Sequence, residues 1–360
     1  MISGRFPRAS AQLILIALSL APTLSPARAE PPAAEASQPA AHLRGAIARA
    51  QSLERLRSLI VARRGEVLVE RGFRGGDVTR PTNIKSASKT IMSALVGMAI
   101  DKKIIPGLDA PILPLLGRRA PAGLDPRVGA ITVGHLLSMQ AGLEPTSGRN
   151  YGRWAKSRNW VNFALTRPFV DEPGGAMVYS TGSTHLLSAI LTEASGRSTF
   201  ELAQEWLAEP LDISIPRWQR DPQGIFMGGN NLALTPRALL RFGELYRQRG
   251  MLDGKRVLPE SWIEQSWKER TLSPYTGHGY GLGWFVTDMA GHPVYYAWGF
   301  GGQMIYVVPA LDLTVVVTST PDEPSDRDGY IQALHHLVED DIVAVIDQPV
   351  AGLPSPAIQP

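Results

Sequence analysis

The chain has 360 residues, no cysteine, 44% hydrophobic residues, and 36 Lys and Arg against 33 Asp and Glu. The lack of cysteine excludes disulfide scaffolds, zinc ribbons, iron–sulfur clusters and a cysteine nucleophile, and the apolar content suits a packed core rather than disorder. Arg5, Arg8 and Arg28 sit in the first 29 residues; without them the charge is balanced, which gives no reason to expect a nucleic-acid partner.

At roughly 150 residues per domain, the length predicts about two lobes or one large catalytic domain. Arg5 and Arg8 precede the apolar run Leu13–Leu20, and Ala27-Arg28-Ala29 supplies a small-residue cleavage site. That order predicts a secretory signal peptide over residues 1–29, cut after Ala29, and a periplasmic or secreted protein. A membrane anchor would need about 20 apolar residues, but Pro22 and Pro26 end this run, and no stable membrane anchor is expected. Residues 30–40, rich in Pro and Ala, read as a linker. Leu43, Ile47, Ala50 and Leu53 repeat at helical spacing. Leu56–Ala62 and Val67–Phe73 are β-rich runs joined by Arg63-Arg64-Gly65-Glu66, a hairpin signature. A helix begins near Ser86 and continues through Ile91, Leu95, Met98 and Ala99 to Lys102-Lys103, where Pro106-Gly107 stops it.

The middle of the chain, about residues 105–225, carries short helical patterns such as Thr132–Met139 and Thr184–Ala194 and no convincing strand. After a helical stretch at Pro236–Arg249, strand character returns in Leu282–Thr287, Val294–Trp298, Met304–Val308 and Leu313–Thr318. Helical residues 329–346 follow, and 347–360 form a tail. Strands at both ends around a helical centre predict an α+β fold. One antiparallel sheet would combine N- and C-terminal strands, flanked by the terminal helices, with a mostly helical second lobe. The catalytic domain would span residues 41–346, with its ligand in the crease between lobes.

Ser86-Ala87-Ser88-Lys89 sits where extended chain becomes helix. Residues three apart share a helix face, so Lys89 can reach the Ser86 hydroxyl. A serine hydroxyl needs a base near neutral pH, and a lysine amine serves only where burial disfavours its charged form. A chain of this composition carries about half of one such spacing by chance, so the pair alone decides nothing against an N-cap serine beside a solvated lysine. Two further elements follow. Tyr179-Ser180-Thr181 comes after Pro173-Gly174-Gly175, and a tyrosine hydroxyl can relay a proton. Trp298-Gly299-Phe300-Gly301-Gly302-Gln303 leads into a strand, where glycines permit close approach of a ligand backbone. The bland readings are a packed tyrosine and a tight hairpin turn.

The order of these elements is that of serine β-lactamases and penicillin-binding proteins. Over about residues 50–345 the sequence resembles the class C β-lactamase-like serine hydrolases, a family that includes esterases, D-aminopeptidases and 6-aminohexanoate-dimer hydrolases. The resemblance extends to Ile131–Met139, Gly142-Leu143, Gly228-Gly229-Asn230-Asn231-Leu232, Leu234–Arg237, Tyr280–Trp284 and Val307-Val308-Pro309. It implies Ser86 as nucleophile, Lys89 as its activator and Tyr179 as proton shuttle. It further implies the backbone N–H groups of Ser86 and Gln303 as an oxyanion hole. Thr181, Trp298, Phe300, Gly301 and Gly302 would meet the substrate. Thr181 stands where lactamases carry Asn, and Phe300 where the family carries Lys or His. Loss of a cation that would grip a carboxylate favours an uncharged ester, amide or short peptide over a β-lactam. The first proton acceptor, Lys89 or Tyr179, stays open. The alternatives are a D-amino-acid peptidase or β-lactamase, or a non-catalytic cell-wall or peptide-binding protein.

No cofactor or metal is expected. His335-His336 with Glu339 lacks a third partner and reads as a solvated helix, and His135 and His185 read as structural. His278 is the one histidine that reads as pocket-lining. Trp154, Trp160, Tyr275 and Trp284 are candidates for the pocket, although aromatics at such positions more often belong to the core.

Overall fold

Strands β1 (Leu56–Arg63) and β2 (Glu66–Gly72) form the expected hairpin. Its turn holds Arg64 and Gly65 at positive φ, 53° and 82°, the handedness that matches the twist of paired strands. The computed structural model describes Met1, residues 41–325 and residues 328–348. The expected signal peptide beyond Met1, the linker and the tail beyond residue 348 lie outside the described residues.

The other strands are β3 (Thr82–Asn83), β4 (Ala233–Leu234), β5 (Met251–Leu252), β6 (Lys255–Arg256), β7 (Thr271–Leu272), β8 (Gly279–Tyr280), β9 (Phe285–Met289), β10 (His292–Gly299), β11 (Gln303–Val308) and β12 (Leu313–Ser319). Eight strands make one antiparallel sheet in the order β2-β1-β12-β11-β10-β9-β8-β7. The N-terminal hairpin therefore pairs with the last strand, as the distribution of strands predicted. Strand β3 pairs with β4, and β5 with β6.

Thirteen helices are described: α1 (Arg44–Ser52), α2 (Ser88–Asp101), α3 (Ile112–Leu116), α4 (Val133–Leu137), α5 (Tyr151–Ala155), α6 (Trp160–Leu165), α7 (Thr181–Ser195), α8 (Thr199–Ala203), α9 (Glu209–Leu211), α10 (Pro236–Arg247), α11 (Glu260–Trp267), α12 (Tyr330–Val338) and α13 (Ala344–Asp347). Side chains alternate across the sheet. Leu59, Val61, Met304, Tyr306, Val315 and Val317 pack under α1 and α12, whose Ala46, Ala50, Leu334 and Leu337 cover them. Ile60, Ala297, Ile305, Val307 and Val316 face the other way, toward α10 and the core around α2. Helix α2 is buried at every position from Ser88 to Ala99, the mark of a helix wrapped on all sides by its own protein. Its buried hydroxyls are satisfied. Thr90 Oγ1 donates to the Gly283 carbonyl at 2.9 Å, and Ser93 Oγ to the Leu282 carbonyl at 2.6 Å.

Those two carbonyls explain a difference from the sequence reading. The expected strand Leu282–Thr287 begins only at Phe285, because Gly283 (φ 82°) turns the chain so that residues 282–283 cap α2 sideways instead of joining the ladder. Two helices also differ from expectation. The Ser86 segment opens with a 3₁₀ turn at Lys85–Ala87 before α2, and the 329–346 helix is widened by a π-helical turn at Glu339–Val343 between α12 and α13. Between residues 105 and 225 isolated bridges but no strand occur among the described residues. The helical part is nevertheless continuous with the sheet half: Leu136, Leu187, Ile190 and Leu202 share one core with Ile60 and Ile305 across α2.

An ideal Cβ on Gly97 would fall 2.3 Å from the Trp262 ring of α11. Gly97→Ala should therefore overpack the α2–α11 contact and lower stability by about 1–3 kcal/mol. Urea denaturation reads this directly, and an unchanged midpoint would show that the two helices do not pack this closely.

Candidate active site

The chain approaches Ser86 through a strained link. Lys85, directly before it, has φ 51°, a conformation a non-glycine residue adopts only when its surroundings enforce it. The Asn83 side-chain oxygen accepts from the Lys85 N–H at 2.9 Å, and Ser88 Oγ donates to the Lys85 carbonyl at 2.6 Å. The end of β10 lies against this link. An ideal Cβ on Gly299 would stand 2.1 Å from the Ile84 carbonyl oxygen, so only glycine lets the two segments meet. Lys85 itself points its charge at Asp322, 3.3 Å away.

One helical turn after Ser86, Lys89 is 1% exposed. Its Nζ lies 3.0 Å from Ser86 Oγ, 2.8 Å from the Gly229 carbonyl oxygen and 3.3 Å from Thr181 Oγ1. It also sits 4.9 Å from the centre of the Tyr179 ring. Burial alone lowers the Lys89 pKa from 10.5 to about 7, since an ammonium with no carboxylate partner is disfavoured away from water. Gly228 and Gly229 bring that carbonyl in. An ideal Cβ on either would stand 1.9 Å from Thr184, from its backbone oxygen or its hydroxyl.

Tyr179 precedes α7, in a segment anchored where the Val178 N–H donates to the Met139 carbonyl at 2.8 Å. Its ring packs edge-on against Tyr275 and Tyr280, with centroids 6.4 and 6.5 Å apart. Burial pushes the phenol well above its ordinary pKa, and the Ser86 hydroxyl offsets only part of this. Thr181, expected as a substrate contact, is buried, and its hydroxyl lies between Lys89 and Ser147. The Thr181 N–H donates to Ser147 Oγ at 2.9 Å, and the two hydroxyls are 3.0 Å apart. Ser147 and Gly229 were not singled out from the sequence as site residues. Gly229 stood in a matching string, but a backbone carbonyl leaves no side-chain signature.

The third motif departs further from expectation. Trp298 was expected to face the substrate. Ala297 and Gly299 face α2, so by alternation Trp298 turns to the opposite side of the sheet, where its ring packs 5.8 Å from Phe285 and Nε1 donates to Ser325 Oγ at 3.2 Å. Gly301 and Gly302 make the turn at φ 85° and 95°. Their missing Cβ positions abut Thr320–Pro321 and the Leu334 and Tyr330 side chains, so they serve the turn and its packing. Gln303 is fully buried and pairs with Gly299 in the ladder, and its side-chain amide donates to the Ser319 carbonyl at 2.8 Å. The Gly302 N–H donates to the Gly299 carbonyl at 3.0 Å, so the polar groups of Gly299 face β11 and the Gln303 amide faces back into the hairpin. Phe300, 45% exposed, is the first residue past the strand end.

Of the other aromatics, Trp154, Trp160 and Trp284 are core, whereas Tyr275 is 68% exposed beside Tyr179. His278 bonds to the Tyr296 hydroxyl at 2.8 Å and packs on His335, among residues under α12. His135 caps α4 with Thr132, and His185 is buried against Asp221 at 3.1 Å. His336, Glu339 and Asp340 come together on the surface near the end of α12, without further enclosure. No helix among the described residues is long and apolar enough to cross a membrane.

Residues 54–338 match the Beta-lactamase family. Among solved structures, the "Putative 6-aminohexanoate-dimer hydrolase from Bacillus anthracis" superposes with a TM-score of 0.67 at 21% identity, over 81% of this chain and 79% of that one. A D-stereospecific amidohydrolase from Streptomyces sp. superposes with a TM-score of 0.64 at 18% identity, over 80% and 98%. At these identities the likeness is one of fold. The "Probable fimbrial assembly protein FimD, serogroup H1" of Dichelobacter nodosus is 33% identical over 146 residues, 38% of this chain and 36% of that protein. The chain thus spans about a third of the length of the curated relatives it matches.

The buried amine has a consequence for stability. Below pH about 7 the folded state bears the full cost of an ammonium without water. Between there and 10.5 only the unfolded chain still holds the proton, and the cost falls away. Lys89→Met should therefore stabilise the fold below pH 7 by an amount on the order of a few kcal/mol, with the gain shrinking as pH rises. Denaturation curves at several pH values check this, and an equal or lower midpoint for the variant would show that the amine is not desolvated.

Proposed function

The chain belongs to the Beta-lactamase family, a fold family of hydrolases, and from that premise we propose an exported serine hydrolase that cleaves an ester or amide through an acyl-enzyme on Ser86. The observation that carries this reading is the 3.0 Å contact between Lys89 Nζ and Ser86 Oγ in a buried setting that lowers the lysine pKa to about 7. A neutral amine at that distance can take the hydroxyl proton as Ser86 attacks the carbonyl carbon. Lys89 is the first acceptor, because a Tyr179 phenol with a raised pKa keeps its proton at neutral pH. Tyr179 then works as a relay: it gives its proton to the leaving oxygen or nitrogen as that bond breaks, and regains one from the Lys89 ammonium. Water repeats the sequence on the acyl-enzyme and frees Ser86.

For the oxyanion, the Ser86 N–H is assigned as one donor. The second is assigned to the Phe300 N–H in place of Gln303, since the Gln303 amide is turned into the ladder. The mouth offers the aromatic faces of Phe300 and Tyr275, and the nearby Lys85 charge is paired with Asp322. An uncharged acyl compound suits these walls better than one bearing a carboxylate. The proposal of export rests on the signal-peptide pattern in the sequence of residues 1–29.

A fluorophosphonate should modify Ser86 alone, and p-nitrophenyl ester turnover should rise with pH through about 7, with nitrocefin turned over slowly or not at all. Ser86→Ala should lose several orders of magnitude in rate, because such groups act as a unit. Mass spectrometry and pH–rate profiles check both. No adduct under any condition would point to a binding protein, and efficient Ser86-dependent nitrocefin hydrolysis would overturn the substrate assignment.

A further inference from the structure

Lys89 has three polar neighbours. As a neutral amine it offers two N–H groups and one lone pair. The Gly229 carbonyl, 2.8 Å away, can only accept, and it takes one N–H. For the lone pair to face Ser86, the second N–H must go to Thr181 Oγ1 at 3.3 Å. Thr181 must then accept from Lys89 and send its own hydroxyl proton elsewhere. The partner within reach is Ser147 Oγ, 3.0 Å from Thr181 Oγ1. One Ser147 lone pair already receives the Thr181 N–H at 2.9 Å, and the second is free for the Thr181 O–H. Ser147 is half-buried, so its own proton can be given to water.

We infer that Ser147 is a positioning residue that fixes the direction of the hydrogen-bond chain from Lys89 through Thr181, and thereby reserves the lysine lone pair for the Ser86 proton. This rests on the hydrolase reading of the same site. Without Ser147, the Thr181 hydroxyl is free to rotate and donate to the Lys89 nitrogen. That contact stabilises the neutral amine but occupies the lone pair the reaction needs. The titratable group facing Lys89 is Tyr179, with Tyr275 and Tyr280 packed behind it. Lys85, on the preceding turn, is paired with Asp322. Among the described residues, burial and not a neighbouring charge lowers the Lys89 pKa.

The experiment measures the second-order rate of Ser86 modification by a fluorophosphonate against pH. Ser147→Ala should lower the alkaline plateau roughly tenfold, about the effect of one misdirected hydrogen bond, while its midpoint moves to lower pH. A loosened structure that admits water would instead move the midpoint upward, toward ordinary lysine, and would overturn the inference. Ser147→Thr, which keeps the hydroxyl, should restore the wild-type profile. In a Thr181→Val background, where no hydroxyl can rotate onto Lys89, Ser147→Ala should have no further effect. An unchanged plateau in Ser147→Ala, failure of Ser147→Thr to restore it, or an equal loss in the Thr181→Val background would each refute the role. Absence of modification in the wild-type protein is a separate result and would defeat the hydrolase reading itself.

Discussion

A lysine amine enclosed by protein, with no carboxylate among the described residues to balance it, is the constraint on which the arrangement turns. Taking an ammonium out of water is unfavourable unless it is paired, and Lys89 meets hydroxyls, a carbonyl and the face of Tyr179. The helix that carries it is buried over three turns, and its buried hydroxyls donate to backbone carbonyls, Thr90 and Ser93 to the 282–283 turn and Ser88 to Lys85. The fold thus encloses a residue that destabilises it, as is common where reactivity needs a shifted pKa.

Close backbone approach does the rest. Gly299 lets the end of β10 rest on the Ile84 carbonyl, and Gly228 and Gly229 let an extended segment pass against Thr184. None of these glycines has a positive φ; each is required by space rather than by conformation. They join the sheet, α2 and α7 at one point, so that Ser86 lies where three separate stretches of chain converge. The held conformation at Lys85 belongs to the same pattern: its N–H and carbonyl are both taken by side chains, so the turn cannot relax into a regular helix start.

Much of this was visible in the residues. The hairpin signature at Arg63-Arg64-Gly65-Glu66, the β-rich runs of β10, β11 and β12, and the apolar length of α2 pointed to the sheet and its central helix. The spacing of Ser86 and Lys89 placed them on one helix face, and they lie at hydrogen-bond distance. Register is not visible in one stretch of residues. Strand parity turns Trp298 to the side of the sheet opposite α2, onto the cluster against which Tyr179 also packs. Gln303 looked like an amide donor because it ends a glycine string, but hairpin pairing turns that amide inward. A shift of one residue reverses the face a strand residue shows, and that information lies in the partner strand.

The sequence by itself determined the class of fold, the helix that bears Ser86 and Lys89, and the order of the three elements, since these depend on local periodicity and on short spacings along one element. Only the tertiary structure decided which groups surround the lysine. Gly229 and Thr181 reach it from segments 140 and 92 residues away in the chain, and Ser147, 58 residues away, reaches Thr181. Water exclusion at a point where distant segments meet is a property of their packing, and no single stretch of residues encodes it.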